Sequence, residues 1–388
     1  MSPIAQANDL DLMRQALRLA MLGRGAVEPN PLVACILVKE GQILAQAYHQ
    51  RFGGLHAEAA ALIAARHTAA GATAYVTLEP CCHTEKKTPP CVPKLIAAHL
   101  GRIVVGCLDP NPMVNGKGVA QLRDAGIETD VGVLEPECRQ LNAAFFKRMQ
   151  QRRPYVTLKW AQTADGKAAA ANGKRLVISN HKSLAVLHAL RSRCDAVLVG
   201  IETALADDPL LTARGVTSSR PLLRIILDSE LRLPLISQLV RTHADGPVLV
   251  YCTQTAYDQS PDAVAALRAR GVEPMPIAAD PQPAPDGSTN LCLTAVLDDL
   301  GARSITHLLV EPGPTLAASF LRSNLADRVW VFRSPKHLDA SDAPDAPGVT
   351  YTTVGQATLD GDQLIEYLNP TSPAYFAPAQ SADFLRAI

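Results

Sequence analysis

Aromatic residues make up only 4% of this 388-residue chain, and its 37 basic side chains are matched by 37 acidic ones. A nucleic-acid surface needs a basic field, commonly with aromatics set among the charges. Neither is present, so no nucleic-acid partner is expected. No apolar run approaches the roughly 18 residues of a membrane span, and no membrane association is expected. The stretch Met1–Asp9 lacks the charged-then-apolar plan of a secretory signal, which favours a cytoplasmic setting. A disulfide framework is also absent from the pattern. The nine cysteines are odd in number and fall at 35, 81, 82, 91, 107, 138, 194, 252 and 292, which reads as reduced thiols. Most stand singly in apolar runs, as Cys35 does within Leu32–Val38, and read as small core residues. Only those at 81, 82 and 91 are clustered.

What is present is a repeated alternation of strand-like and helix-like runs, the mark of layered α/β architecture. At a typical 100–200 residues per domain the length predicts two domains, perhaps three. One spans 1–150. A second, over 151–388, starts after Arg152-Arg153-Pro154, although no Gly/Ser linker marks the junction. In the first, 9–22, 57–66, 92–100 and 117–126 read as helices, and 32–38, 43–48, 74–78 and 102–107 as strands. In the second, Tyr155–Trp160, Ala196–Gly200, Leu222–Asp228, Val248–Tyr251, His307–Glu311 and Arg328–Phe332 read as strands, with helices over 184–193 and 263–270 between them. The Pro-rich runs 274–287 and 335–348 read as loops.

One constellation carries chemistry. His56-Ala57-Glu58 opens a predicted helix, Pro80-Cys81 follows a strand, and Cys91 opens another helix. One imidazole and two thiolates supply three zinc ligands and leave a fourth tetrahedral position for water. Glu58, two residues beyond His56, can reach that position as a proton shuttle. The combination is the signature of zinc nucleobase deaminases. A structural zinc site is the plain alternative, with Cys82 or His83 as fourth ligand. Nine residues separate Cys81 from Cys91, where the signature has two. That argues against cytidine, tRNA-adenosine and DNA-cytosine deaminases and points to a branch with a longer substrate loop.

The motifs Gly54-Leu55-His56-Ala57-Glu58, Thr77-Leu78-Glu79-Pro80-Cys81-Cys82-His83 and Lys87-Thr88-Pro89-Pro90-Cys91 resemble the bifunctional riboflavin-biosynthesis deaminase/reductases. Asn30-Pro31, Asp109-Pro110-Asn111-Pro112, Gly116-Lys117-Gly118, Leu158-Lys159, Asp165-Gly166-Lys167 and Ala206–Arg214 fit the same family, and the resemblance runs from about residue 9 to about 333. It implies a cytidine-deaminase-like three-layer domain followed by a dihydrofolate-reductase-like α/β domain. It further implies one Zn²⁺ per chain and NADPH as cofactors, and a homo-oligomer, dimer or tetramer. The substrate implied is a small diaminopyrimidinone carrying a ribosylamino 5-phosphate. The first domain would hydrolyse its 2-amino group, with His56, Cys81 and Cys91 on zinc, Glu58 moving protons, and Asn30, His83, Lys87, Asp109 and Asn111 around the ring. The family loop is one residue shorter than here, so Lys86 and Lys87 are both candidates for the basic position.

The second domain would then reduce the ribosyl to a ribityl chain. Lys159, Asp207 and Glu311 match the family's charged residues, with Arg191, Leu211, Arg214 and Glu311 toward substrate. Ala161, Thr203, Asp207, Ser229, Gly313, Pro314 and Thr315 match cofactor contacts, the last three opening a predicted helix suited to a pyrophosphate. Arg175, Val177 and Pro312 depart from the family's pattern. Two rival readings stay open: a deaminase whose second domain is degenerate, and a deaminase of free bases or nucleosides.

Overall fold

The computed structural model describes residues 3–66, 68–83, 89–171, 176–217, 220–281 and 289–376. The chain divides into two compact units, the first reaching Gln151 and taking in Phe376, the second running from Arg152 to Tyr375. No helix among the described residues is long and apolar enough to cross a membrane.

In chain order the first unit holds α1 (Pro3–Ala20), β1 (Ala34–Lys39), β2 (Gln42–Tyr48), α2 (Ala57–Ala64), β3 (Thr73–Val76), α3 (Val92–Ala97), β4 (Arg102–Val105), α4 (Lys117–Asp124), β5 (Glu128–Val131), α5 (Glu135–Leu141) and α6 (Ala143–Gln151). Its sheet runs β2-β1-β3-β4-β5, antiparallel at β2/β1/β3 and parallel at β3/β4/β5. Successive strand residues face opposite sides, and here both sides are apolar. Ile36, Tyr75 and Val104 join α1 residues such as Met13 and Ala16 in one core. Cys35, Leu37, Val76 and Val105 join Ala57, Ala61, Leu95 and Leu122 of α2, α3 and α4 in the other. Three layers result because β1, buried along almost its whole length, needs cover on both faces. The sequence places Pro80-Cys81 at a strand end; β3 instead stops at Val76, and Cys81 lies in the extended chain beyond it.

The second unit holds β6 (Tyr155–Gln162), α7 (His181–Arg191), β7 (Ala196–Gly200), α8 (Ile201–Asp207), β8 (Leu223–Leu227), α9 (Gln238–Arg241), β9 (Val248–Thr253), α10 (Gln254–Gln259), α11 (Pro261–Ala269), β10 (Val272–Ile277), α12 (Leu293–Ala302), β11 (His307–Val310), α13 (Pro314–Arg322), β12 (Arg328–Arg333), β13 (Thr352–Leu359) and β14 (Asp362–Leu368). The sheet order is β10-β9-β8-β7-β11-β6-β12-β14-β13, parallel through β12 and antiparallel at the final hairpin. Val197, Val199 and Ile226 face one core and Ala196, Leu198 and Ile225 the other. β11 separates β6 from β7 although those two follow each other in sequence. Strand order therefore reverses there, and the carboxyl ends of these strands form a crevice of the kind that binds ligands in open α/β sheets.

Residues 128–151, given no element by the sequence reading, form β5, α5 and α6, and two further stretches also differ from it. The loop expected over 274–287 begins inside β10, which contains Pro274 and Pro276. β10 is an edge strand, and at an edge a missing N–H needs no partner strand. Residues 352–368, given no element by periodicity, form the hairpin β13–β14.

Candidate active sites

In the first unit the backbone turns extended at His56 (φ −69°, ψ 155°) and then enters α2, so His56 caps the helix and Glu58 falls in its first turn. Cys91 caps α3. The amides of Cys91 and Val92 donate to the Cys81 carbonyl at 3.0 and 3.2 Å, tying the extended Cys81 segment to the start of α3. These ties bring His56 Nδ1 to 3.4 Å from Cys81 Sγ and 3.5 Å from Cys91 Sγ. A tetrahedral zinc with Zn–S of about 2.3 Å and Zn–N of about 2.0–2.1 Å spaces N and S by about 3.5 Å. The donor set and its spacing therefore fit zinc. Cys82 and His83 do not join the cluster among the described residues. Cys82 Sγ lies instead 3.9 Å from the Met113 carbonyl oxygen. Three ligands rather than four favour a catalytic over a structural site.

Asn30, His56, Glu58, Cys81, His83, Asp109 and Asn111 share the wall of one cavity of about 400 Å³, with Cys91 buried behind it. Burial pushes the Glu58 carboxyl above its ordinary value, the Cys81 sulfur adds to this, and His56 and Cys91 oppose it. Asp109 Oδ1 accepts the Asn111 amide at 2.8 Å, and Asn111 Oδ1 accepts the Met113 amide at 3.0 Å. The Asn111 side chain thus closes its own turn as well as facing the cavity. Lys86 and Lys87 lie outside the described residues, as does Arg175 in the second unit.

Several lining residues were not singled out as site residues by the sequence. His49, with Phe52, Glu79 and Arg148, is on the same wall. His49 Nδ1 lies 2.9 Å from the Leu55 carbonyl oxygen and Nε2 3.2 Å from Asn30 Nδ2. A carbonyl only accepts, so Nδ1 carries the proton and Nε2 accepts from the Asn30 amide. Burial lowers His49 from its ordinary value, in keeping with a neutral ring. Asn30 is thereby held with one end of its amide fixed. Glu79, 3% exposed, accepts the amides of Asp109, Gly116 and Val119 at 2.9–3.1 Å. It fixes the loop carrying Asp109 and Asn111 onto the segment carrying Cys81. Glu79 stands within the quoted motif, but its partners come from 30 to 40 residues away.

The second cavity, about 320 Å³, opens at the carboxyl ends of β6, β7 and β11. Lys159, Ala161, Arg191, Thr203, Asp207, Leu211, Arg214 and Glu311 all line it, together with Val177 and Pro312. Arg191 grips Glu311 in a two-pronged pair (Nε–Oε1 2.6 Å, Nη2–Oε2 2.8 Å) and donates through Nη1 to the Thr212 carbonyl at 3.1 Å. Burial works against the Glu311 charge, yet Arg191 and Lys159 hold its carboxyl below the ordinary value. Burial lowers the Lys159 ammonium, with Glu311 and Asp207 opposing and Arg191 reinforcing. Arg214 donates to His188 Nε2 at 3.4 Å. His188 and Gln238, unmarked in the sequence, also line the cavity. Ser229, Gly313, Pro314 and Thr315 are not in its wall. Gly313 does cap α13, and a Cβ there would lie 3.4 Å from Thr203 Oγ1, so that helix start sits beside the cavity.

Comparisons with known proteins bear on the family of each unit. Residues 6–107 match the cytidine and deoxycytidylate deaminase zinc-binding region, and residues 154–350 match the RibD C-terminal domain. The chain is 43% identical over 328 residues to riboflavin biosynthesis protein RibD of Aquifex aeolicus, covering 84% of this chain and 87% of that one. It is 37% identical over 351 residues to RibD of Escherichia coli, covering 87% and 91%. Among solved structures, Acinetobacter baumannii RibD superposes with a TM-score of 0.80 at 33% identity, covering 94% of this chain and 99% of that one. A Thermotoga maritima diaminohydroxyphosphoribosylaminopyrimidine deaminase/5-amino-6-(5-phosphoribosylamino)uracil reductase does so at 0.79 and 32%, with the same coverage.

Proposed function

The chain belongs to the RibD family of bifunctional riboflavin-biosynthesis deaminase/reductases, and from that premise we propose how its two cavities divide the work. The zinc-binding deaminase and the NADPH-using reductase act on a small phosphorylated pyrimidine. In the first cavity His56, Cys81 and Cys91 would hold zinc, and zinc bound there would make water nucleophilic at neutral pH. Glu58 takes the water's proton at its carboxylate and returns it to the departing 2-amino group. Asn30, held by His49, orients the ring with Asp109, Asn111 and His83, and Glu79 holds the Asp109–Asn111 loop in register. The observation that carries this reading is the His56–Cys81–Cys91 triangle with Glu58 in the same wall.

The second cavity would hold NADPH, which when bound would be the hydride source for the ring-opened sugar. Lys159 and Asp207 face the reacting carbon, Arg191 and Arg214 take the phosphate, and the Arg191–Glu311 pair shapes the floor between them. Ala161, Thr203 and Asp207, with Ser229 and the Gly313–Thr315 helix start, form the cofactor side, and Leu211 lies toward the substrate. Lys87 belongs with the pyrimidine pocket in this scheme. The resemblance also supports a cytoplasmic homo-oligomer, which sedimentation of the purified chain tests.

The test of the whole scheme is a two-signal assay on zinc-replete protein given the diaminopyrimidinone phosphoribosyl substrate. Ammonia release followed by loss of NADPH absorbance is expected. Ammonia without NADPH or NADH consumption would mean a degenerate second unit. No ammonia would overturn the substrate assignment, and activity on free bases would then be the reading to pursue.

A further inference from the structure

The hairpin β13–β14 supplies none of the cavity walls described above, yet its tip is built with unusual care. The chain turns through Asp360 and Gly361, both with positive φ (48° and 94°). That turn sets Asp362, only 2% exposed, against the start of α7. Asp362 Oδ2 accepts the Asn180 backbone N–H at 2.8 Å and the Ser183 hydroxyl at 2.7 Å. Asn180 Nδ2 returns two bonds, to the Leu359 and Asp360 carbonyls at 2.6 and 3.0 Å. Asn180 is also the cap of α7, its Oδ1 accepting the Ser183 amide at 2.9 Å. Leu359 and Leu364 of the hairpin share one apolar core with Leu187 and Leu190 of α7.

Burying a carboxylate is costly unless it is fully hydrogen-bonded, and a hairpin turn that had only to reverse the chain could leave its polar residue in water. Here the carboxylate is buried and both its bonds go to one helix end. That helix carries Leu184, His188 and Arg191 to the second cavity, and the chain over 176–179 leading into Asn180 lines it too. Arg191, about three turns along α7 from the cap, grips Glu311 and the Thr212 carbonyl.

We propose that Asp362 is a positioning residue of the reductase, setting α7 through Asn180 and Ser183 so that the Arg191–Glu311 pair stands correctly against the substrate. The inference rests on assigning that cavity to the reductase. It gives the chain beyond residue 350, outside the matched RibD C-terminal region, a role in substrate binding.

The test uses the full zinc-replete chain with the deaminated phosphorylated pyrimidine and NADPH, comparing wild type with Asp362→Ala, Asp362→Asn and Ser183→Ala. Displacing α7 should raise KM for the pyrimidine on the order of tenfold in Asp362→Ala and a few-fold in Ser183→Ala, with KM for NADPH and ammonia release unchanged. Asp362→Asn keeps an acceptor oxygen in place and should recover most of the loss. If Asp362→Ala does not fold, Ser183→Ala and Asp362→Asn carry the same comparison. A lower kcat with both KM values unchanged means only that less protein folds, and overturns the proposal. So do unchanged kinetics in all variants beside normal wild-type turnover. No NADPH consumption by the wild type overturns the reductase assignment, and the proposal with it.

Discussion

Glu58 and His56 are two residues apart, a spacing that in a helix interior would turn their side chains away from each other. They serve one cavity because His56 is still in extended backbone as the cap and Glu58 is already in the first turn. The chemistry therefore lies in the helix boundary as much as in the residue types. Glu58→Gln should keep zinc and lose ammonia release by about 10²–10⁴-fold, the usual worth of a positioned proton carrier. Metal analysis beside an ammonia assay checks it, and retained turnover would remove Glu58 from the mechanism. His56, Glu58, Cys81 and Cys91 were legible in the sequence because zinc chemistry demands those residue types within short segments. His49 and Glu79 were not, since their roles come from the Asn30 amide and from backbone N–H groups of Asp109, Gly116 and Val119, all remote in sequence.

The zinc segment and the pyrimidine loop are held together at the start of α4. A Cβ on Gly118 would run into the Pro80 carbonyl oxygen and crowd Glu79 Oε1. Only glycine lets α4 approach so closely, and the neighbouring Gly116 sits at φ 80°, which glycine adopts without strain. Gly118→Ala should destabilise the first unit by about 1–3 kcal/mol, as overpacking does. It should also weaken pyrimidine binding, because Asp109 and Asn111 move with the loop. Thermal melting and the deaminase KM read the two effects, and an unchanged KM would separate the loop from this contact. Elsewhere, periodicity found elements with strong apolar patterns and missed those whose partners decide them. Pro274 and Pro276 read as loop, yet an edge strand accommodates them. The half-exposed alternation of β13 is weak by itself, and the strand stands because β14 pairs with it.

Each unit has its own sheet and its own two-sided core, so each can keep its chemistry without the other's cofactor. Removing zinc from the full chain with a chelator should therefore stop ammonia release and leave NADPH oxidation of a pre-deaminated substrate near its starting rate. Equal loss of both would mean that the two activities are not separable. By itself the sequence determined the α/β class and the family, and it singled out a break near residue 150 and His56, Cys81 and Cys91 as candidate zinc ligands, because these rest on composition, on periodicity and on residue types at short spacing. Tertiary structure alone decided what surrounds them. It set Arg191 on Glu311, His49 on Asn30, Glu79 under the pyrimidine loop and Asp362 on the start of α7. Each of these is a buried polar group that must be satisfied, and its partner is chosen by how distant segments pack, which no local pattern in the chain records.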